Sequence, residues 1–169
     1  MSLLTRLLAR GTVVLAQSAS KLQTLQMRLT AGEVNDDMEH FEPYGFTSNP
    51  LAGAEGIVTF LGGDRSHAVV LVVADRRYRL QSLAAGEVAI YTDEGDRIHF
   101  KRGRVIDIET GTLNIRASTA VNIDTPTLTQ SGRIVSNGDQ VAGGISQIQH
   151  LHAGVQPGNG QTGAPVGGQ

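Results

Sequence analysis

The sequence predicts an all-β protein whose N-terminal part is a small barrel, and three observations support this prediction. Three pairs of β-rich segments, each pair joined by a short turn-forming stretch, lie within residues 11–103. All seven aromatic residues lie between positions 41 and 100, where a compact core would use large rings. Beyond residue 104, apolar and polar residues alternate as half-buried strands require. We therefore divide the chain near residue 104.

Each segment pair has the pattern of a β-hairpin. The pairs are TVVLAQ with LQTLQMRL, GIVTFL with AVVLVVADRRYRL, and EVAIYT with RIHFK. The stretches between them, SAS, GGDRSH and DEGD, are polar and turn-forming. Three hairpins within residues 11–103 are typical of a small closed or partly closed barrel such as an oligonucleotide/oligosaccharide-binding (OB) fold, although a sandwich has the same pattern.

The first ten residues have a different pattern, with four leucines at helical spacing: Leu3, Leu4, Leu7 and Leu8. This spacing predicts a short amphipathic helix or arm over residues 1–10. Arg6 and Arg10 interrupt the apolar residues, so we expect neither a targeting segment nor a membrane span here.

Residues 105–145 predict short strands with one apolar face. The alternating pairs are Ile106 and Ile108, Leu113 and Ile115, and Val121 and Ile123. LNI at 113–115 and VNI at 121–123 also match at a spacing of eight, which is a short, weak repeat. Strands of this size cannot bury an apolar face alone, so they must stack on themselves or on copies from other chains.

Composition excludes several classes of function. The formal net charge is −2, so there is no basic surplus to attract phosphates, and we do not expect nucleic acid as a partner. There is no cysteine, which rules out disulfides and cysteine-based zinc sites. Any metal site must therefore use histidine or oxygen ligands.

Three polar clusters have ordinary structural explanations. Asp64, Ser66 and His67 have the residue types of a hydrolytic triad, but they share one tight turn, whereas triad residues converge from separate positions. The acidic stretch 93–96 is much shorter than a calcium-binding loop and suits a solvated hairpin tip. The arginine cluster at 76–79 is expected to lie within a strand, with Arg77 and Arg79 on one face and Arg76 on the other. We interpret it as a solvated face or a subunit contact.

The last twenty residues contain two candidate motifs. Gly158, Gly160 and Gly163 have the G-x-G-x-x-G spacing, but only six residues follow them, so no helix can complete a dinucleotide-binding unit. His150 and His152 would project from one face of an extended segment. Three copies meeting on a threefold axis would bring six imidazoles together, which suits an octahedral first-row transition ion. Taken alone, such a pair is more often just exposed histidine.

Ordered motifs along the chain resemble one known family. Residues 21–80, with PYGFTSNP and GGDRSH as the specific signals, resemble the N-terminal domain of the baseplate central spike proteins of Mu-like contractile-tailed phages and prophages. GEVAIYTDEGDRIHF and the terminal AGGISQIQHLHAGVQPGNGQTGAP resemble the rest of that family, which includes the baseplate assembly protein V group.

The resemblance implies a homotrimer with an OB-fold barrel over residues 11–103, an intertwined triple-stranded β-helix shaft over 104–145 and a metal-bound apex over 146–169. It assigns an iron ion, one per trimer with six histidine ligands, to His150 and His152. Related spikes often have threonine between the two histidines, where this chain has Leu151. Family members also hold calcium and chloride in the shaft, but no motif in this sequence fixes those ligands.

The expected function is a non-enzymatic, membrane-piercing spike at the centre of a contractile-tail baseplate, with sheath contraction as the source of force. The expected location is the tail baseplate tip of a virion assembled in the host cytoplasm, and the expected partners are baseplate hub proteins and the host outer membrane. One alternative is a tailspike that cleaves surface polysaccharide, for which Asp107, Glu109 and Asp124 are the acidic candidates. Another is a sugar-binding or adhesion module built on the barrel.

Overall fold

The computed structural model describes residues 7–29, 32–154 and 158–160, and within them the protein is almost entirely β-structure. The chain divides into two compact units, Met1–Arg116 and Ala117–Gln169. The strands of the first unit are β1 Leu8–Gln17, β2 Thr24–Arg28, β3 Val34–His40, β4 Glu55–Phe60, β5 Ala68–Ala74, β6 Val88–Tyr91, β7 Arg97–Lys101 and β8 Val105–Glu109. The second unit contains β9 Val141–Ala142 and β10 Ile145–Ser146. The described residues include no helix long and apolar enough to cross a membrane.

Strands β1 to β5 form a closed barrel in the order β1-β2-β3-β5-β4. Neighbouring strands are antiparallel except β3 and β5, which pair in parallel through Glu39 with Val69 and His40 with Val70. Closure leaves no free strand edge, so the backbone hydrogen bonds of the sheet are satisfied within one chain. The prediction of an all-β protein with an N-terminal barrel is confirmed.

The barrel core follows from alternation along the strands. Leu25 and Met27 of β2 and Val58 and Phe60 of β4 point inward and are almost completely buried, because side chains two residues apart share a face. The cluster is completed by Val13, Leu29, Met38, Ala54, Ala68 and Val70. The core is therefore formed entirely by residues before position 75.

Two glycines face each other across β1 and β4 and make room for this core. Gly11 pairs with Gly56 in the register of the two strands. A Cβ atom on Gly56 would lie 2.8 Å from Met27 Cε, and one on Gly11 would lie 2.7 Å from Leu29 Cδ2. Any side chain at either position would therefore displace core atoms.

Strands β6, β7 and β8 form a separate antiparallel sheet. Strand β8 pairs with β7 over its whole length, from Arg97 with Glu109 to Lys101 with Val105, and β6 pairs with it from Arg97 to Phe100. All three predicted hairpins are present, as β1–β2, β4–β5 and β6–β7, but the third lies outside the barrel. The barrel thus ends at Ala74, earlier than the expected boundary at residue 103, and the third sheet runs across that boundary.

Two local predictions differ from the structure. Strand β1 begins at Leu8, so the expected helix does not extend over residues 8–10, and Leu3 and Leu4 lie outside the described residues. The arginine cluster 76–79 follows β5 in a turn and is not within a strand. The reason is Asp75, whose carboxylate accepts the Arg77 N–H at 3.0 Å and whose carbonyl accepts the Arg79 N–H at 3.1 Å.

Candidate functional site: an apolar sheet face and a histidine pair

One face of the β6–β7–β8 sheet is apolar and exposed. Its side chains form two rows across the three strands: Val88, Phe100 and Ile106 in one row, and Ile90, Ile98 and Ile108 in the other. All six are exposed in the single chain, from 37% for Ile98 to 62% for Val88. A contiguous apolar patch of this kind marks an interaction surface in a folded protein.

The opposite face of the same sheet is charged and internally paired. Lys101 Nζ lies 2.8 Å from Asp107 Oδ2, and Arg97 contacts Glu109. The Lys101 ammonium lowers the pKa of Asp107, mainly through its hydrogen bond to the carboxylate. A general acid of a glycosidase requires a raised pKa, so Asp107 has the opposite of the property that polysaccharide cleavage would need.

Glu87 fixes the start of this sheet. Its carboxylate accepts the backbone N–H groups of Arg102 at 3.1 Å and Ala84 at 3.0 Å, and it contacts His99 Nε2 at 3.1 Å. These hydrogen bonds, first that from Arg102, lower the pKa of Glu87. The carboxylate therefore fixes the ends of β6 and β7 and with them the orientation of the apolar face.

The apolar residues beyond β8 are also exposed. Leu113, Ile115, Val121 and Ile123, which alternate as strands in the sequence, are between 57% and 67% exposed. No strand is assigned between residues 110 and 140, all of which the structure describes. A strand requires a hydrogen-bonded partner, and a single chain supplies none to this segment. The strands expected at 113–115 and 121–123 are therefore not formed in the single chain, and their apolar side chains stay in contact with solvent.

The histidine pair lies just after the β9–β10 hairpin. His150 Nδ1 lies 2.9 Å from the carbonyl oxygen of Ser146, and the His150 backbone N–H donates to the same oxygen at 3.2 Å. The rings of His150 and His152 are 5.1 Å apart, centroid to centroid, at 80° to each other. The intervening Leu151 is 94% exposed.

This geometry leaves one ring nitrogen of His150 free to act as a ligand. A carbonyl oxygen only accepts, so Nδ1 of His150 holds the ring proton and Nε2 keeps its lone pair for a metal. Asp139 supports the turn by accepting the Ile148 N–H at 3.1 Å, and hydrogen bonds, first that from Ser146, lower its pKa. Among the described residues no chain segment brings three metal-binding side chains together, so one chain offers at most this pair.

The PYGFTSNP segment forms an exposed, internally bonded loop between β3 and β4. Glu42 accepts hydrogen bonds from the Ser48 N–H at 2.6 Å and the Thr47 hydroxyl at 2.9 Å. Gln23 Nε2 donates to the Ser48 carbonyl at 2.7 Å. Burial raises the pKa of Glu42, but these hydrogen bonds outweigh it and the net shift is downward. The loop holds Tyr44, whose side chain is fully exposed, in a defined position.

The cluster at residues 64–67 and the acidic stretch 93–96 are structural turns, as predicted from the sequence. Asp64 accepts both the N–H and the hydroxyl of Ser66, at 2.9 and 2.7 Å, so the hydroxyl is bound within a turn and not to His67. The acidic stretch 93–96 is a hairpin tip, with Gly95 at a φ of 97°. The G-x-G-x-x-G motif lies partly outside the described residues.

A pocket beside the barrel was not predicted from the sequence. Glu55 there binds two guanidinium groups, those of Arg10 and Arg76. These residues are distant in the sequence and converge only because β1, β4 and β5 are neighbours. Tyr91 of β6 lines the same pocket.

A closed barrel followed by a sheet with one exposed apolar face is typical of a protein that binds other chains through that face. Comparison with known proteins identifies its family. Residues 10–77 match the family model "Bacteriophage Mu Gp45, N-terminal", and residues 144–166 match the "GpV Apex motif".

Two relatives align along most of their length. The chain is 33% identical to the baseplate puncturing device gp45 of Escherichia phage Mu over 166 residues, covering 88% of this chain and 84% of that protein. It is 37% identical to the Mu-like prophage FluMu protein gp45 of Haemophilus influenzae, covering 86% of each chain. The chain therefore belongs to the gp45 family of phage baseplate spike proteins.

Proposed function

We propose that this protein is the membrane-piercing central spike of a contractile-tail baseplate and acts mechanically, without catalysis, as a homotrimer. The barrel is an OB-fold domain that docks on baseplate hub proteins. The residues from β6 onward form an intertwined β-helical shaft, and the apex meets the host outer membrane. The name of the phage Mu relative, a baseplate puncturing device, supports this role and a location at the baseplate tip of the virion.

The observation that supports the trimer best is the apolar face of the β6–β7–β8 sheet. Six large side chains that share one face are left in water by a single chain. The same chain pairs the charges on the other face and closes its barrel completely. Burying the apolar face between three chains removes it from water, and it leaves the charged face outside.

We further propose that His150 and His152 of three chains hold one iron ion at the apex. The exposed, lone-pair-bearing Nε2 of His150 and the neighbouring ring of His152 suit this role. The match of residues 144–166 to an apex motif is consistent with a metal there. Bound iron would act as a cross-link between the three chains. Chain ends fray when few contacts order them, and a shared ion would hold these ends together. Calcium and chloride ions in the shaft remain a prediction from the family resemblance, and we assign no ligands to them among the described residues.

Native mass spectrometry combined with metal analysis tests this proposal directly. The expected result is an assembly of three 17.9 kDa chains with one iron ion. His150→Ala and His152→Ala should each abolish metal binding and leave the trimer intact, because the shaft contacts do not involve the imidazoles. His67→Ala, in a barrel turn, is the matched control and should retain the metal. A monomer, or one metal ion per chain, would contradict the proposal.

A further inference from the structure

A pocket of about 270 Å³ lies where β1, β4 and β5 of the barrel meet the end of β6. Its apolar part includes Ile57 of β4 and Val72 of β5, which are cross-strand partners on the outside of the barrel. Tyr91, the last residue of β6, lines the same pocket. Both aliphatic side chains are exposed, 37% for Ile57 and 53% for Val72. The pocket therefore has an apolar floor without a cover in the single chain.

Arginines surround this floor in excess over carboxylates. Arg10 and Arg76 share the single carboxylate of Glu55, with Arg76 Nη2 at 2.9 Å from Oε2. Arg77 pairs with Asp75 at 2.6 Å. Arg79 lines the pocket, and among the described residues it has no carboxylate oxygen within 4 Å. The pocket is thus lined by three guanidinium groups, those of Arg10, Arg76 and Arg79, and by two carboxylates, those of Glu55 and Asp75, which leaves positive charge uncompensated.

The complementary charge lies at the tip of the β6–β7 hairpin. Asp93 and Glu94 are exposed, and within the described part of the chain Asp93, Glu94 and Asp96 have no Lys, Arg or His partner within 4 Å. The tip is well ordered, since the Thr92 N–H donates to the Asp96 carbonyl at 3.0 Å. The structure therefore contains an acidic hairpin tip whose carboxylates form no salt bridge within the described residues, and a basic pocket in which guanidinium groups outnumber carboxylates.

The position of the acidic hairpin tip allows it to meet the basic pocket of another copy in a trimer. Rotation about a threefold axis does not change the height of an atom along that axis, so only surfaces at equal height can meet between copies. Tyr91 lines the pocket two residues before Asp93, and Asp93 raises the pKa of Arg77, although less than Asp75 does. Tip and pocket of one chain are therefore neighbours, and their heights along any threefold axis can differ by no more than the distance between them.

We propose that the acidic tip of one copy, residues 93–96, docks on the arginine pocket of the next copy and closes a ring of three identical contacts. This contact rests on the proposed trimer and adds the place where neighbouring barrels and hairpins join. It fits the charges, because three carboxylates reach a pocket with an excess of guanidinium groups. It also covers Ile57 and Val72 with the body of the neighbouring hairpin.

The absence of cysteine from the natural chain makes a cross-linking test straightforward. In a chain with Arg79→Cys and Glu94→Cys, bridging by a short bismaleimide should convert the monomer band on a denaturing gel into a covalent trimer. Each single variant should stay monomeric on the gel. Arg79→Cys combined with Glu39→Cys, an exposed acid on β3, is the matched control and should give no trimer. A bridge within one chain, or no bridge, would overturn the proposal.

A second measurement keeps the test decisive if the cysteines disturb packing. Arg79→Glu and Glu94→Lys should each repel at every contact of a uniform trimer, whereas a mixed trimer restores opposite charges between chains. A mixed trimer still has one like-charge contact, but opposite charges meet at the other two, so co-expression of the two variants with different tags should give mixed trimers in excess of random mixing; random mixing would contradict the contact. Native mass spectrometry of the unmodified chain separates the two levels. A monomer there refutes the proposed function, while a trimer without cross-links or excess mixing refutes this contact alone.

Discussion

Replacing Ile106 by aspartate is the sharpest test of the assembly, because its neighbour Val105 provides a control on the same strand. Ile106 belongs to the apolar face of the β6–β7–β8 sheet and is 59% exposed in one chain. Val105 lies on the charged face opposite Lys101 and is 47% exposed. The two residues are β-branched, adjacent and similarly exposed, so they differ mainly in the face that they occupy.

The expected loss follows from the area that assembly would bury. Full burial of an isoleucine contributes about 1.5–3 kcal/mol, so the exposed part of Ile106 corresponds to roughly 1–2 kcal/mol per chain. Three chains together would lose about 3–5 kcal/mol. Forcing a carboxylate into the same contact costs several kcal/mol more for each ion. Since every 1.4 kcal/mol changes an equilibrium constant about tenfold, the Ile106→Asp trimer should not form at micromolar concentration.

Size-exclusion chromatography with light scattering, followed by native mass spectrometry, measures this outcome. Ile106→Asp should elute as a monomer or as aggregates, and Val105→Asp should remain a trimer because its carboxylate faces Lys101 and solvent. Circular dichroism should show that both variants retain the barrel, whose core ends before residue 75. A trimeric Ile106→Asp variant, or equal dissociation of Val105→Asp, would refute the assignment of the apolar face.

Three further outcomes are expected. Burial lowers the pKa of His40, so the free energy of unfolding of the barrel should be highest above about pH 6.5 and fall as the pH drops towards the lowered pKa. Urea titrations from pH 5 to 7 measure this free energy, and His40→Gln should make it less dependent on pH. Gly56→Val should destabilise the barrel by about 1–3 kcal/mol or more through its clash with Met27, as thermal unfolding will show, whereas Gly132→Val, in open space, should not. A chain lacking residues 140–169 should still enter baseplates but lose metal, and exclusion of this trimer from purified tails would contradict the proposed division of labour.

The parts of the fold that sequence predicted well are those set by local pattern. All three hairpins were found because each combines alternating apolar residues with a turn-forming connection. Strand β3, with the sequence VNDDMEH, was missed because only its inward Met38 and His40 are buried and its polar residues hide the alternation. The arginine cluster was placed in a strand because Asp75 was not recognised as the start of a turn. The carboxylate of Asp75 forms a turn by accepting a backbone hydrogen bond two residues later, and this ends the strand.

The candidate site was predictable to the same extent. The histidine pair is visible in the sequence because His150 and His152 are separated by one residue. The orientation of the His150 ring depends on the Ser146 carbonyl, whose position the sequence does not reveal. The pocket was not predictable, because Arg10, Glu55 and Arg76 meet only after β1, β4 and β5 have closed the barrel. Long-range convergence depends on strand order, and alternation alone does not determine strand order.

The change in composition along the chain follows from where each part obtains its core. The barrel fills its centre with large side chains such as Phe60, Met27 and Met38, and it satisfies its own backbone by closure. Beyond β8 there are no aromatic residues, and the Val, Ile and Leu side chains that the structure describes there are exposed in one chain. In the proposed trimer, three chains wound around a common axis would have only a narrow interior, which Val, Ile and Leu can fill and large rings could not. We therefore expect the barrel to fold within each chain first, and the later strands to become ordered only when the chains meet.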